Sequence, residues 1–174
     1  MRMHGQSHLL FSEMCYYSFM LAYYFLSATV IILLTCVAVI DAVTQEIPNA
    51  LNLALLLCGF LAFFIAPQID PTSRLIGLVC VSVPMLVITH VFPGAFGMGD
   101  VKLMGACGLI LGWKYILVAA IIGILIGGVQ GIFLLTTRKK TRKEHFAFGP
   151  ALCIGVTSAL FFGGPLFDGY LALF

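Results

Sequence analysis

Residues 19–40 read FMLAYYFLSATVIILLTCVAVI, an apolar run without a single charged side chain. A helix rising ~1.5 Å per residue needs ~20 such residues to cross ~30 Å of hydrocarbon. This run is long enough, so the chain enters a membrane here. Outward from it the same character persists: 49–66, 75–92, 101–113, 115–137 and 148–174 are further apolar runs, separated by prolines, glycines or charges. Hydrophobic residues make up 61% of the 174 and charged residues 9%, with a mean hydropathy of +1.11. A soluble domain carries ~25% charged residues, so this chain is solvated by lipid. The expected fold is all-α, a polytopic membrane protein of about six transmembrane helices.

Residues 1–18 mix Arg2, His4, His8 and Glu13 with apolar side chains and are expected to form an interfacial N-terminal segment. Residues 19–174 then form one membrane-embedded domain. The N-terminus lacks the basic region, short apolar core and small-residue cleavage site of a removable signal peptide. Six cysteines are present and none forms a CxxC pair. They read as small packing residues, with neither a zinc site nor a disulfide framework expected.

Between the runs, Asp41 to Asn49 is a short polar connection, and Pro48 is suited to starting the second helix. Residues 66–74 form a loop by their prolines and polar side chains. Pro84 predicts a kink in the third span. The fourth run is short, and Gly112-Trp113-Lys114 interrupts before the fifth. A helix tucked inside the bundle resolves the short length, with Lys114 snorkelling beside Trp113.

Arg138-Lys139-Lys140-Thr141-Arg142-Lys143 is the one dense basic cluster. Lys and Arg in a short loop mark the cytoplasmic side, with contact to anionic lipid following from the same charge. Nucleic-acid binding is not expected from so short a cluster between two spans. Counting spans back from this loop places Asp100, and then Asp41, on the same face. Asp168, near the far end of the last run, falls on the other.

Those two aspartates carry the chemistry. A carboxylate in or beside a span costs ~2.5–3.5 kcal/mol on insertion, so such residues usually serve a function. Asp100 lies in Phe96-Gly97-Met98-Gly99-Asp100-Val101-Lys102-Leu103, just past Pro93 and Gly94, where the backbone is expected to be irregular. Its plain structural reading is an N-cap on the helix that follows. Asp41 has no such reading, because a carboxylate at a helix C-terminus faces the negative end of the dipole. Two carboxylates brought together share a proton, so that one takes a proton from water while the other donates to a scissile carbonyl. That is peptide hydrolysis without a covalent intermediate, and it calls for no cofactor and no metal. No serine has the glycine-flanked setting of a hydrolase nucleophile. His90 reads as an interfacial residue, His145 has no matching partner pattern, and Glu46 is the nearest competing acid. Lys102 could act on an aspartate, bind a substrate carboxylate, or simply snorkel.

Three motifs in order resemble the type IV prepilin peptidases, members of the GxGD membrane aspartic proteases. Asp41 followed by Ile47-Pro48-Asn49 is similar to the family's first aspartate and its I-P-N/D ending. Gly97-Met98-Gly99-Asp100-Val101-Lys102-Leu103 fits GxGDxKL. Phe148-Gly149-Pro150 looks like the P-F-G-P segment, with Ala147 where proline is common. The resemblance covers about residues 30–160 and implies Asp41 and Asp100 as the catalytic pair. Gly97, Gly99, Lys102, Pro48, Asn49, Gly149 and Pro150 would then be supporting or substrate-binding residues. It implies as partner a prepilin or pseudopilin, with a basic leader before a hydrophobic helix. Cleavage would fall at the cytoplasmic border of the inner membrane. Longer members carry an N-terminal cysteine-paired domain that N-methylates the product; this chain does not show it, so methyl transfer is not expected. Its length is similar to the short peptidases of tight-adherence (Flp) pilus systems. Two other classes remain open. Pro150-Ala151-Leu152 also resembles the P-A-L motif of presenilin and signal-peptide-peptidase proteins. A small proton-coupled transporter would use the same acids as a relay.

Overall fold

The computed structural model describes residues 3–66, 68–92, 95–136 and 147–171. They form α1 Met3–Thr44, α2 Asn49–Ile65, α3 Pro71–Cys80, α4 Ser82–Val91, α5 Met98–Thr136 and α6 Gly149–Leu171. No strand occurs among the described residues. Tyr17–Thr44, Pro71–Val91 and Met98–Phe133 are long and apolar enough to cross a membrane, and Asn49–Ile65 and Gly149–Pro165 are shorter apolar helices. The protein is an all-α polytopic membrane protein. Large apolar side chains such as Phe25, Ile32, Phe64, Leu125 and Val129 cover its exposed surface, as lipid contact requires.

The first helix begins earlier and ends later than the apolar run. Residues from Met3 onward are continuous with the first span, so the N-terminal segment is helical and joins it without a break. At the other end the helix continues past Asp41 to Thr44. Gln45 stops it by adopting a left-handed conformation (φ 58) while its amide donates to the Asp41 carbonyl at 2.8 Å. This is the geometry of an αL cap, and it places Asp41 inside the last turn instead of beyond it.

The loop expected over 66–74 is shorter than its composition suggests. Pro71 occupies the first position of α3, where its fixed φ suits a helix start, and Arg74 is drawn into the helix. The kink expected from Pro84 is present as the break between α3 and α4 at Val81 (φ −106, ψ −42). Pro84 has no amide to offer the Cys80 carbonyl and its ring crowds that oxygen, so the break falls one turn upstream of the proline.

α5 is two helices meeting at Gly112, whose φ of 76 and ψ of 172 are far from helical. Here glycine is required: the backbone is left-handed, and a Cβ would sit 2.7 Å from Ser73 Oγ. The chain reverses at this point. Phe148 stacks on Phe96, beside the start of the first arm, at a centroid distance of 5.4 Å. It also lies against Gly127 in the second arm. The arms are therefore antiparallel, giving two passes where the sequence predicted an interruption. Lys114, just past the turn, lies over the rings of Trp113 (5.8 Å) and Phe167 (5.3 Å) in the snorkelling arrangement.

The first arm, 98–111, is about 21 Å long at ~1.5 Å per residue, short of the hydrocarbon thickness. It sits in the middle of the bundle, with Leu103, Met104, Ala106, Cys107 and Leu109 almost fully buried. α3 packs on it backbone to backbone, since a Cβ on Gly77 or Gly108 would fall against the other's carbonyl oxygen. Its C-terminal carbonyls, left open by the break at Gly112, are taken by Arg74. That guanidinium is fully buried and donates to Leu109 O (3.1 Å), Ile110 O (2.8 Å) and Ala66 O at the end of α2 (2.7 Å). Two helix ends are thus closed by one side chain inside the bundle. The basic cluster at 138–143 and the Pro93-Gly94 approach lie outside the described residues.

Candidate active site

At the end of the bundle where Phe96 meets Phe148, the chain brings Asp41 and Asp100 to one cavity of about 230 Å³. Gln45, Glu46, Ile47, Gly97, Met98 and Gly99 complete its lining. A water molecule occupies ~30 Å³, so there is room for a nucleophilic water and a stretch of extended peptide. Both carboxylates are buried, at 4% and 6% exposure, and they are the buried acids among the described residues.

Each carboxylate is held by a backbone amide at a helix N-terminus. Asp41 is at the unfavourable end of its own helix, but the amide of Gly149, the first residue of α6, donates to its Oδ2 at 3.0 Å. The positive end of α6 thereby offsets the negative end of α1. A Cβ on Gly149 would stand 2.6 Å from that same oxygen, so the contact demands glycine.

Asp100 occupies the third position of α5, not the cap. Its Oδ2 reaches back to accept the amide of Gly97 at 3.2 Å, while the Gly97 carbonyl accepts the amides of Asp100 (3.0 Å) and Val101 (3.3 Å). This is half of a capping box, so the capping reading accounts for one oxygen. The other, Oδ1, is buried and has no hydrogen-bond partner among the described residues. A buried acceptor left unsatisfied costs ~1–3 kcal/mol; Asn52 Oδ1 and Arg74 Nε are left in the same way.

The glycines between these acids set the wall spacing. A Cβ on Gly99 would come 2.9 Å from Ile47 Cβ, so Gly99 lets the α1–α2 connection close over the start of α5. Pro48 precedes α2 and its carbonyl accepts the amides of Leu51 and Asn52. Pro150 stands second in α6, where a missing amide costs nothing.

Lys102 is not directed at the acids. Two residues is ~200° of helix, so it leaves α5 on the opposite side from Asp100. It is exposed and donates to Asn49 Oδ1 at 2.9 Å. Glu46 lines the cavity as an exposed rim residue, and His90 is exposed in the last turn of α4. Among the described residues no group of three His, Cys, Asp or Glu is placed to hold a metal.

Sequence reasoning passed over Asn52, which is 5% exposed and donates through Nδ2 to the Gly99 carbonyl at 3.3 Å. The available signal was an amide side chain inside the leucine-rich run of α2. It also passed over Arg74, read as a loop residue because of the prolines around it.

Lipid-solvated helices that bury two carboxylates at one end, each on the amide of another turn, define a membrane-embedded diacid protein. The chain belongs to the type IV leader peptidase family, whose model matches residues 28–132 and so includes both aspartates. It is similar to the prepilin leader peptidase/N-methyltransferase of Bacillus subtilis, 28% identical over 141 residues covering 81% of this chain and 57% of that protein. The protein of that name in Xanthomonas campestris is 32% identical over 149 residues, 80% of this chain and 52% of the relative. That of Legionella pneumophila is 28% identical over 137 residues, 76% and 48%. The chain thus spans about half the length of the curated relatives it matches. No solved structure matches it.

Proposed function

We propose that this protein is an aspartic endopeptidase that removes the leader peptide of type IV prepilins or pseudopilins at the cytoplasmic border of the inner membrane. The observation that carries the proposal is the single cavity shared by Asp41 and Asp100, with one oxygen of each held by a backbone amide. Anchoring one oxygen fixes the plane of the carboxylate and leaves the other for proton transfer. In the singly protonated pair, the ionised member takes a proton from the attacking water as the oxygen bonds to the scissile carbonyl carbon. The protonated member donates to the carbonyl oxygen. As the intermediate collapses and the C–N bond breaks, the aspartate protonated by the water passes that proton to the leaving amine and the other recovers its proton from the diol hydroxyl. Gly97, Gly99 and Gly149 position this pair, while Pro48, Asn49 and Pro150 set the helix starts around it.

Two observations support the cytoplasmic orientation. Phe148 sits at the site, and α5 passes Gly127 on its way to Thr136, so the described residues that flank 137–146 lie on the side of the site. The Lys and Arg residues of 137–146 favour the cytoplasm. An impermeant thiol reagent applied to intact cells is therefore expected to leave a Thr141→Cys variant unlabelled until the membrane is opened. Labelling from outside would reverse the orientation.

Gly149→Ala tests the anchored-carboxylate geometry. The added methyl collides with Asp41 Oδ2 and must displace the carboxylate. Misplacing a reacting group by ~1 Å costs about 10²-fold in rate, so cleavage of a purified prepilin should fall by that order with little change in thermal midpoint. Near-normal cleavage by Gly149→Ala would show that the anchor is dispensable.

A further inference from the structure

The first turn of α2 holds the first turn of α5 through two polar side chains. Asn52, 5% exposed, donates through Nδ2 to the Gly99 carbonyl at 3.3 Å. Asn49, one turn earlier in α2, accepts at Oδ1 from Lys102, one turn later in α5, at 2.9 Å. Both helices start at the site and end at Arg74, so they run parallel and the two bonds cross. Crossed bonds act as diagonal braces and oppose sliding in both directions. Side-chain packing does not fix the spacing here, because Asn52 and Leu56 of α2 and Val101 and Gly105 of α5 line a hollow of about 660 Å³. Close contact resumes further along, where a Cβ on Gly59 would stand 2.9 Å from Leu109 Cδ2. At the near end Ile47 lies against Gly99 while Asn52 holds its carbonyl, so the residue before Asp100 is fixed at two points.

Stability does not account for the inner, buried bond. Gly99 lies inside α5, where its carbonyl already accepts from the amide four residues on, so Asn52 adds to a satisfied group. Asn52 meanwhile leaves its own Oδ1 buried without a donor among the described residues, a cost to folding that leucine would not incur. What the bond supplies is a fixed place for the peptide unit that leads into Asp100. We propose that Asn52 is a positioning residue for the hydrolysis. With Asn49 and Lys102 as the outer brace, it holds the start of α5 against the connection that follows Asp41, and so sets the spacing of the two carboxylates. This rests on the peptidase reading above and adds what keeps the pair in register.

The test uses the full chain in phosphatidylethanolamine/phosphatidylglycerol vesicles with a purified type IV prepilin. Asn52→Leu should lower kcat by about tenfold or more and leave KM within about twofold. Its thermal midpoint should stay within ~3 °C of wild type or rise. The pH profile separates positioning from damage. A partly misfolded sample scales the bell without changing its width. A changed spacing alters the interaction of the two acids, and with it the separation of the limbs, by about half a pH unit per ångström. Among the described residues the other titratable groups near the pair are Glu46 of the connection and Cys153 of α6, and Asn52→Leu alters neither; Lys102 is turned away. The same separation is read without substrate by infrared titration of the carboxyl band, assigned with Asp41→Asn and Asp100→Asn. Asn49→Ala opens the outer brace without a change of charge and should move the limbs in the same sense by less. An Asn52→Leu protein that does not fold, a kcat within twofold of wild type, or a loss with unmoved limbs would overturn the brace. Cleavage by the wild type with limbs unmoved in Asn52→Leu removes the brace alone. No cleavage by the wild type, with an infrared separation that does move, removes the peptidase reading alone, and failure of both removes both.

Discussion

Asp41→Asn and Asp100→Asn are each expected to lower prepilin cleavage by about 10²–10⁴-fold, the range of a lost acid or base. The double variant should be little worse than either one. Both residues serve one step, and groups acting as a unit are strongly non-additive. The fold should survive these changes. Asparagine retains a carbonyl oxygen for the Gly149 or Gly97 amide and removes a buried charge. The rate of the wild type should follow a bell in pH, because only the singly protonated pair works. Its limbs belong to the pair and not to either residue. Glu46→Gln should keep substantial activity, since Glu46 is exposed at the rim. Additive losses in the double variant would mean that the two aspartates act in separate steps.

The largest effect on stability is expected at Arg74. Arg74→Met removes the donors to three carbonyls at once, at Ala66, Leu109 and Ile110. An unsatisfied buried carbonyl costs ~1–3 kcal/mol, so the total is several kcal/mol against a typical stability of about 5–15. The end of the first α5 arm would then be open inside the bundle, next to the turn at Gly112. The expected result is loss of the monodisperse peak in detergent, with Arg74→Lys only partly restoring it, because an ammonium cannot span the same three acceptors. A thermal midpoint for Arg74→Met within ~3 °C of wild type would show that these contacts contribute little.

These two sites differ in how far they could be read from the residues. Asp41 and Asp100 stand out because charge is rare in the chain and both interrupt apolar runs. The passes were legible for the complementary reason, that long uncharged runs admit few other structures in lipid. The helix ends were less so. Thr44 and Met98 extend helices past the composition boundaries because caps, not hydropathy, stop a helix: Gln45 does so through its left-handed backbone, and Gly97 through its exchange with Asp100. Arg74 looked like loop punctuation, and its role depends on carbonyls some 35 residues away. The anchoring of Asp41 is longer in range still, since Gly149 is 108 residues distant and contributes only a backbone amide. Composition gives no sign of such a contact; the glycine itself was the one trace. Lys102 is a different case: of the roles its place beside Asp100 left open, the fold shows a bond to Asn49 on a face that helical rotation turns away from the acid.

Hydrolysis of a prepilin by the two buried aspartates is tested by incubating the purified wild-type protein and the Asp41→Asn/Asp100→Asn double variant with a purified prepilin in liposomes, and weighing the products by mass spectrometry. The expected result is one pair of fragments from the wild type, cut just before the apolar helix of the prepilin, and intact prepilin with the double variant. An intact prepilin with well-folded wild-type protein, or the same fragments from the double variant, would contradict it.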